Sequence, residues 1–197
     1  MFLKKNSGAA DWIIVGLGNP GKKYSNTRHN AGFDALDHMA EKWNAAPFRS
    51  GFNGVWAKAE AAGQKVILLK PETFMNLSGK SVQEAASFYK IDAGHIIILC
   101  DDVTQAPGKL RIRPSGSAGG HNGLKDIFAR MGSQEIPRIR MGVGVKPCPE
   151  YDLAAWVLGK MEGEDRKAFE SRMDDVAAAA ELIMQEKLSD AQNRYNH

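Results

Sequence analysis

The sequence predicts an α/β fold, a single domain built on a twisted mixed sheet, largely parallel and flanked by helices. Three observations carry this expectation. Apolar runs at Trp12-Ile13-Ile14-Val15, Val66-Ile67-Leu68-Leu69 and Ile96-Ile97-Ile98-Leu99-Cys100 read as buried strands. Each run passes through a polar loop towards a stretch with helical spacing, the alternation that builds parallel sheets with helical crossovers. At 197 residues and 43% hydrophobic content, the chain can bury a substantial core.

The first strand, 12–15, runs into Gly16-Leu17-Gly18-Asn19-Pro20-Gly21. A helix over about 30–45 follows, with Phe33, Leu36, Ala40 and Trp43 along one face. Strands are expected at 55–59 and 65–70, joined through Ala62-Gly63-Gln64. A loop ending at Asn76 leads to a helix over 78–89, in which Ser81-x-x-Glu84 has the pattern of a capping box. The strand that starts at Ile96 ends at Asp101-Asp102. A glycine-rich passage, 116–123, enters a helix through Leu124, Ile127, Phe128 and Met131. Leu110-x-Ile112 and Ile139-x-Met141 alternate as strands do, and 141–145 reads as one more strand. A helix over about 164–188 carries Phe169, Met173, Val176, Ala180 and Ile183 on one stripe. No repeat, low-complexity tract or dividing linker interrupts the chain, so residues 12–190 are expected to form one domain behind a flexible extension, 1–11.

Composition narrows the function classes. No stretch approaches the apolar length that spans a bilayer, and the opening residues lack the apolar core of a secretion signal, so no membrane partner is expected. Cys100 and Cys148 make neither a disulfide framework nor a metal spacing, which points to a reducing cytoplasm. Net charge is only +3 but unevenly placed. Residues 103–146 hold eight Lys/Arg against Asp126 and Glu135, whereas residues from Pro147 onward hold six basic against eleven acidic. A one-signed central stretch fits a polyanionic partner.

The polar residues form a pattern. Asn19 with His29, then Asn76, then Asp101 follow the carboxyl ends of three candidate central strands. If those strands are parallel, all four residues share one edge of the sheet, where α/β proteins carry their chemistry. Gly16-x-Gly18-x-x-Gly21 also matches a dinucleotide fingerprint, but the amphipathic pattern begins only near Asn30, so phosphates would meet a loop rather than a helix end. His29 has a plain reading as a helix-start residue. Asp101 adds a second one, because a carboxylate on one imidazole nitrogen fixes the tautomer and raises the basicity of the other. No G-x-S-x-G elbow is present and neither cysteine has the setting of a nucleophile, which leaves water. The five histidines make no ligand spacing, so no metal is expected, although Asp101-Asp102 offers oxygen ligands of the kind magnesium takes. Asn19, Asn76 and Asn122 are either turn residues or amides that pair with peptide groups and support an oxyanion. Phe74 and Met75 read as core or pocket wall.

The segments GLGNPGKKYSNTRHNAG, KPETFMNLSGKSV, the strand ending in DD, RIRPSGSAGGHNGLKDI and WVLGK together resemble the bacterial peptidyl-tRNA hydrolase family, in the same order from Trp12 to about Lys160. The loop Val103-Thr104-Gln105-Ala106-Pro107-Gly108 departs from the family's usual pattern while Asp101 is kept. The resemblance implies a monomer that cleaves the ester between a peptide and the 3′ end of tRNA, without metal or cofactor. It implies His29 as general base, Asp101 as the residue that stabilises the basic form of His29, and Asn19 as the selector of N-blocked groups. Tyr24, Phe74, Asn76 and Asn122 would hold the peptidyl-tRNA end, and Arg113 and Arg140 would grip phosphate. On alternating strands Arg111, Arg113, Arg138 and Arg140 would share one face, free for phosphate or paired with the acidic C-terminal helix. A nucleotide-dependent oxidoreductase and a non-catalytic RNA-binding module are the alternatives from other classes.

Overall fold

The three apolar runs lie side by side at the centre of a seven-stranded sheet in a computed structural model that describes residues 10–197. The strands are β1 (Trp12–Gly16), β2 (Arg49–Gly51), β3 (Gly54–Ala61), β4 (Gln64–Pro71), β5 (Ile96–Asp102), β6 (Leu110–Arg113) and β7 (Arg138–Gly142). Their order is β2-β3-β4-β1-β5-β7-β6. β1 pairs in parallel with both β4 and β5, and β5 in parallel with β7. The outer pairings β2–β3, β3–β4 and β6–β7 are antiparallel. The sheet is therefore mixed, with a parallel centre, and β1, β4 and β5 all point their carboxyl ends to one edge.

The helices are α1 (Ala31–Lys42), α2 (Ser78–Tyr89), α3 (Asn122–Met131), α4 (Leu153–Leu158), α5 (Gly163–Glu170), α6 (Met173–Met184) and α7 (Leu188–Tyr195). Because side chains alternate along a strand, each central strand feeds two cores. Ile14, Leu68, Ile97 and Leu99 pack with Leu36 and Met39 of α1 and Val176 and Ala180 of α6. Ile13, Val15, Ile67, Leu69 and Ile98 pack on the other face with Val82 of α2 and Leu124 and Ile127 of α3. Burial on both faces is why these strands read as unbroken apolar runs.

Several expectations require correction. Ser81 is not a cap: α2 starts at Ser78, and Ser81 is a buried interior residue of the helix, while Glu84 accepts instead from Asn53. The strand expected at 141–145 is β7, shifted to 138–142, because Arg138 and Arg140 occupy strand positions that their charge disguises. The helix expected over 164–188 is three helices. The bend after Glu170 lets Phe169 and Met173 both reach the core, and Glu186 at φ 61° turns the chain into α7. α7 then protects the β6 edge, with Asn196 and Gln192 bonded to the Ile112 backbone. Of the extension expected at 1–11, residues 1–9 lie outside the described residues. Ala10 is buried and Asp11 exchanges hydrogen bonds with the Lys65 backbone, so both belong to the fold.

Candidate active site

Two glycines bring the site together. A Cβ at Gly16 would overlap the Gly32 carbonyl, and one at Gly32 would overlap the Leu17 amide nitrogen and the Leu99 carbonyl oxygen. The start of α1 is thus pressed against the ends of β1 and β5, a closeness that only glycine permits. The 3-10 turn Arg28–Asn30, just before α1, is carried by this contact to the end of β5. There Nδ1 of His29 lies 2.8 Å from Oδ1 of Asp101. The glycine fingerprint serves strand–helix packing, and the residues after Gly21 form a 3-10 turn, Lys22–Tyr24, rather than the helix a dinucleotide phosphate needs.

The sequence reading missed His121. Its Nε2 lies 3.0 Å from the same Oδ1 of Asp101, and its Nδ1 accepts the Leu124 N–H as the N-cap of α3. Burial works against the charge on Asp101, and the two histidines, His121 ahead of His29, outweigh it and hold the carboxyl well below the usual carboxylate range. Asp101 is 3% exposed and the His29 side chain 12%. One ring nitrogen of His29 is therefore fixed on a buried carboxylate, while Nε2 is left for the cavity. Ligand atoms of His29, Asp101 and His121 fall within 4.8 Å of one another, but both ring nitrogens that face Asp101 are engaged in hydrogen bonds to it.

Asn19 is held from two sides. Asn30 accepts from the Asn19 amide through Oδ1 and donates through Nδ2 to the Asn19 carbonyl, at 2.9 and 3.0 Å. The side-chain oxygen of Asn19 accepts the Met75 N–H at 2.9 Å. That bond holds the oxygen towards Met75, and the Asn19 side-chain amide nitrogen is the donor offered to the cavity. Of the pair left open in sequence, Phe74 is exposed and Met75 is buried, and both line the cavity.

That cavity has a volume of about 550 Å³. Asn19, Tyr24, His29, Phe74, Asn76, Asp101, Asn122 and Arg140 all border it, so eight of the nine expected residues meet in one place. Arg113 does not border it. The opposite wall is apolar, from Val103 and from Leu153, Val157 and Leu158 of α4. α4 is fastened to the turn that bears His29. The Arg28 guanidinium stacks 3.5 Å above the Trp156 ring and bonds to the Val143 and Lys160 carbonyls.

The arginines differ from the expectation. Pairing places Arg111 opposite Arg140 and Arg113 opposite Arg138, so all four do share a face. They are not all free. Arg138 is 2% exposed and buries its guanidinium against the Ile136 and Gly116 carbonyls. Arg140 lies 3.1 Å from the buried carboxylate of Asp102, with Arg111 at 3.7 Å, and among the described residues neither forms an ion pair with the C-terminal helices. Asp102 also accepts from the backbone and hydroxyl of Thr104, so it caps the loop and balances arginine. Arg113 remains exposed. Cys100 is buried, with its thiol pushed up to about 12, no setting for a nucleophile.

The family model for peptidyl-tRNA hydrolase matches residues 13–197. The chain belongs to the peptidyl-tRNA hydrolase family. It is 47% identical to the peptidyl-tRNA hydrolase of Clostridium acetobutylicum, over 94% of this chain and 97% of that one. Identity to the Clostridium novyi protein of the same name is 46%, over the same shares. Among solved structures, an Arg119Gln mutant of peptidyl-tRNA hydrolase from Acinetobacter baumannii superposes with a TM-score of 0.89 at 34% identity, covering 96% of each chain. A peptidyl-tRNA hydrolase in complex with N-propanol gives a TM-score of 0.88 at 35% identity, covering 94% of each. The chain is accordingly an enzyme, a hydrolase, with the mixed α/β fold of its relatives.

Within this peptidyl-tRNA hydrolase fold, the supporting residues were the ones hidden in sequence. Asn30 and Arg28 adjoin His29, yet nothing in their spacing marks a clamp on Asn19 or a stack on Trp156. His121 had one visible signal, its place directly before a helical pattern and after two glycines, which suits an N-cap.

Proposed function

We propose that this chain hydrolyses the ester joining a peptide, or another N-blocked aminoacyl group, to the 3′ end of tRNA, with His29 as general base and water as nucleophile. The observation that carries the mechanism is the His29 Nδ1 to Asp101 Oδ1 bond at 2.8 Å. It makes Nε2 the nitrogen without a proton. Nε2 takes a proton from water, the oxygen attacks the ester carbonyl, and the resulting imidazolium returns that proton to the departing ribose oxygen. The amides at the cavity supply uncharged donors: Asn19 through Nδ2, and Asn76 and Asn122 at its rim, where the tetrahedral oxyanion and the peptide groups would lie. Tyr24 and Phe74 offer ring faces to the terminal nucleotide.

The balance of charge supports the nucleic-acid half of the substrate. Arg111, Arg113, Arg138 and Arg140 face one way, with Asp102 the carboxylate within 4 Å of Arg111 and Arg140. Arg113 and the outer edge of Arg140 then attract phosphate. The same reading makes the enzyme a cytoplasmic monomer that needs no metal or cofactor. No helix among the described residues is long and apolar enough to cross a membrane.

The test is release of tRNA from N-acetylaminoacyl-tRNA beside free aminoacyl-tRNA. Rapid hydrolysis of the blocked ester and slow hydrolysis of the free one is expected. Equal rates would remove the proposed selectivity, and no hydrolysis of either would leave the RNA-binding alternative.

A further inference from the structure

We propose that His121 is a positioning residue that tempers the basicity of His29 by sharing its carboxylate. The inference rests on the assignment of His29 as the base and adds a part to it.

Both imidazoles address one oxygen, Oδ1 of Asp101, at 2.8 Å from His29 and 3.0 Å from His121. The two rings converge on that oxygen, tilted at 43° with their centroids 5.0 Å apart. The protonation of His121 is set from behind. Its Nδ1 accepts the Leu124 N–H, so that nitrogen carries no proton, and the proton must sit on Nε2, where it points at Asp101. With Nδ1 occupied by the first turn of α3, the ring presents an Nε2 proton to Asp101. A carboxylate oxygen that already receives one hydrogen bond has less charge to offer a second donor. The imidazolium form of His29 is then less favoured than it would be beside an unshared aspartate.

This matters because an over-stabilised imidazolium is a poor base near neutral pH, where it would hold its proton. The other charged or titratable groups that face the cavity are Tyr24 and Arg140. Lys23 lies over the Tyr24 ring, and Arg140 is balanced by Asp102. Arg28 beside His29 is turned onto Trp156, and the thiol of Cys100 stays protonated. None of them touches Oδ1 of Asp101, which leaves His121 as the group placed to set the strength of the pair. The arrangement also ties Asn122, the first residue of α3, to the His29–Asp101 pair.

The experiment is the pH profile of kcat/KM on N-acetylaminoacyl-tRNA for the wild type, His121→Leu and His121→Gln. Leucine fills the space and donates nothing, whereas the glutamine amide nitrogen reaches where Nε2 lies and restores the donor. In His121→Leu the acidic limb should move to higher pH by on the order of half to one unit. In His121→Gln it should stay near the wild-type position. An unmoved limb in His121→Leu, or equal shifts in both variants, would overturn the proposal, since a purely structural role lowers the rate at every pH alike. Nitrogen-15 NMR of the wild-type imidazoles gives an independent reading that needs no variant. A proton on Nε2 of His121 is expected, and one on Nδ1 would overturn the tautomer argument. The underlying assignment fails separately: a wild-type profile with no acidic limb would remove His29 as the base.

Discussion

Replacing Asp101 by asparagine should remove a charge and keep two hydrogen bonds. Both described bonds to this side chain fall on Oδ1, so an asparagine that places its carbonyl there still accepts from His29 and His121. The new amide nitrogen takes the place of Oδ2, away from both rings, and the histidine tautomers are not forced to flip. The loss is therefore electrostatic. Removing an opposite charge in direct contact makes the imidazolium less favoured and the imidazole a weaker base. A weaker base should reduce kcat roughly 10- to 100-fold, the lower part of what a general base contributes. Because His29 then loses its proton more readily, the acidic limb of kcat/KM should move to lower pH. Asp101→Ala removes orientation as well, and its loss should be the larger, towards about 10⁴-fold. The assay is steady-state hydrolysis of N-acetylaminoacyl-tRNA across pH for the three proteins. Wild-type kcat and an unmoved limb in Asp101→Asn would refute the reasoning, as would an asparagine variant as inactive as the alanine one. A linked effect concerns stability. The folded carboxyl of Asp101 is held below the ordinary aspartate value of 3.8, so its contribution is complete above that pH and is lost as pH falls towards the depressed value. Acid unfolding of Asp101→Asn should accordingly be less steep.

Four further outcomes are expected. Arg113→Ala should raise KM for full-length peptidyl-tRNA and lower the slope of log K against log salt by about one unit, with Tm unchanged, because the exposed Arg113 has no carboxylate partner among the described ion pairs. Arg140→Ala should in addition lower stability by about 1–3 kcal/mol, since Asp102 is fully buried and, beside its bonds from Thr104, keeps one cation, Arg111, at 3.7 Å. Denaturant titration separates the two variants. Gly32→Ala should destabilise by about 3 kcal/mol or fail to fold, because its Cβ meets backbone atoms of Leu17 and Leu99 that cannot turn aside. Prolonged EDTA treatment should leave hydrolysis unchanged, and activity lost to EDTA and restored by zinc would mean that the His29–Asp101–His121 cluster holds an ion.

What could be read from the sequence followed from burial. The centres of β1, β4 and β5 are sealed on both faces, so their residues there had to be apolar and stood out as runs. Their shared carboxyl edge then followed from parallel pairing, and with it the meeting of Asn19, His29, Asn76 and Asp101. The three-residue edge strand β2, Arg49–Gly51, left no such trace, because two of its residues face solvent. Arg138 misled for a different reason. Alternation assigned it to the polar face correctly, but Arg138 itself is buried there, and its charge is met by the nearby Ile136 carbonyl and by the Gly116 carbonyl 22 residues away. The break at Glu186 has no glycine or proline to announce it. His121 was hidden because its partner, Asp101, is 20 residues earlier, and only the fold brings both rings to Oδ1.

The central claim is that His29 acts on the ester rather than in holding tRNA. Single-turnover hydrolysis of N-acetylaminoacyl-tRNA by His29→Ala, measured with its affinity for the same substrate, tests this directly. The account predicts a fall of about 10²- to 10⁴-fold in the rate of the chemical step with affinity nearly unchanged. A variant that hydrolyses the ester at the wild-type rate, or that loses activity only through weaker binding, would contradict it.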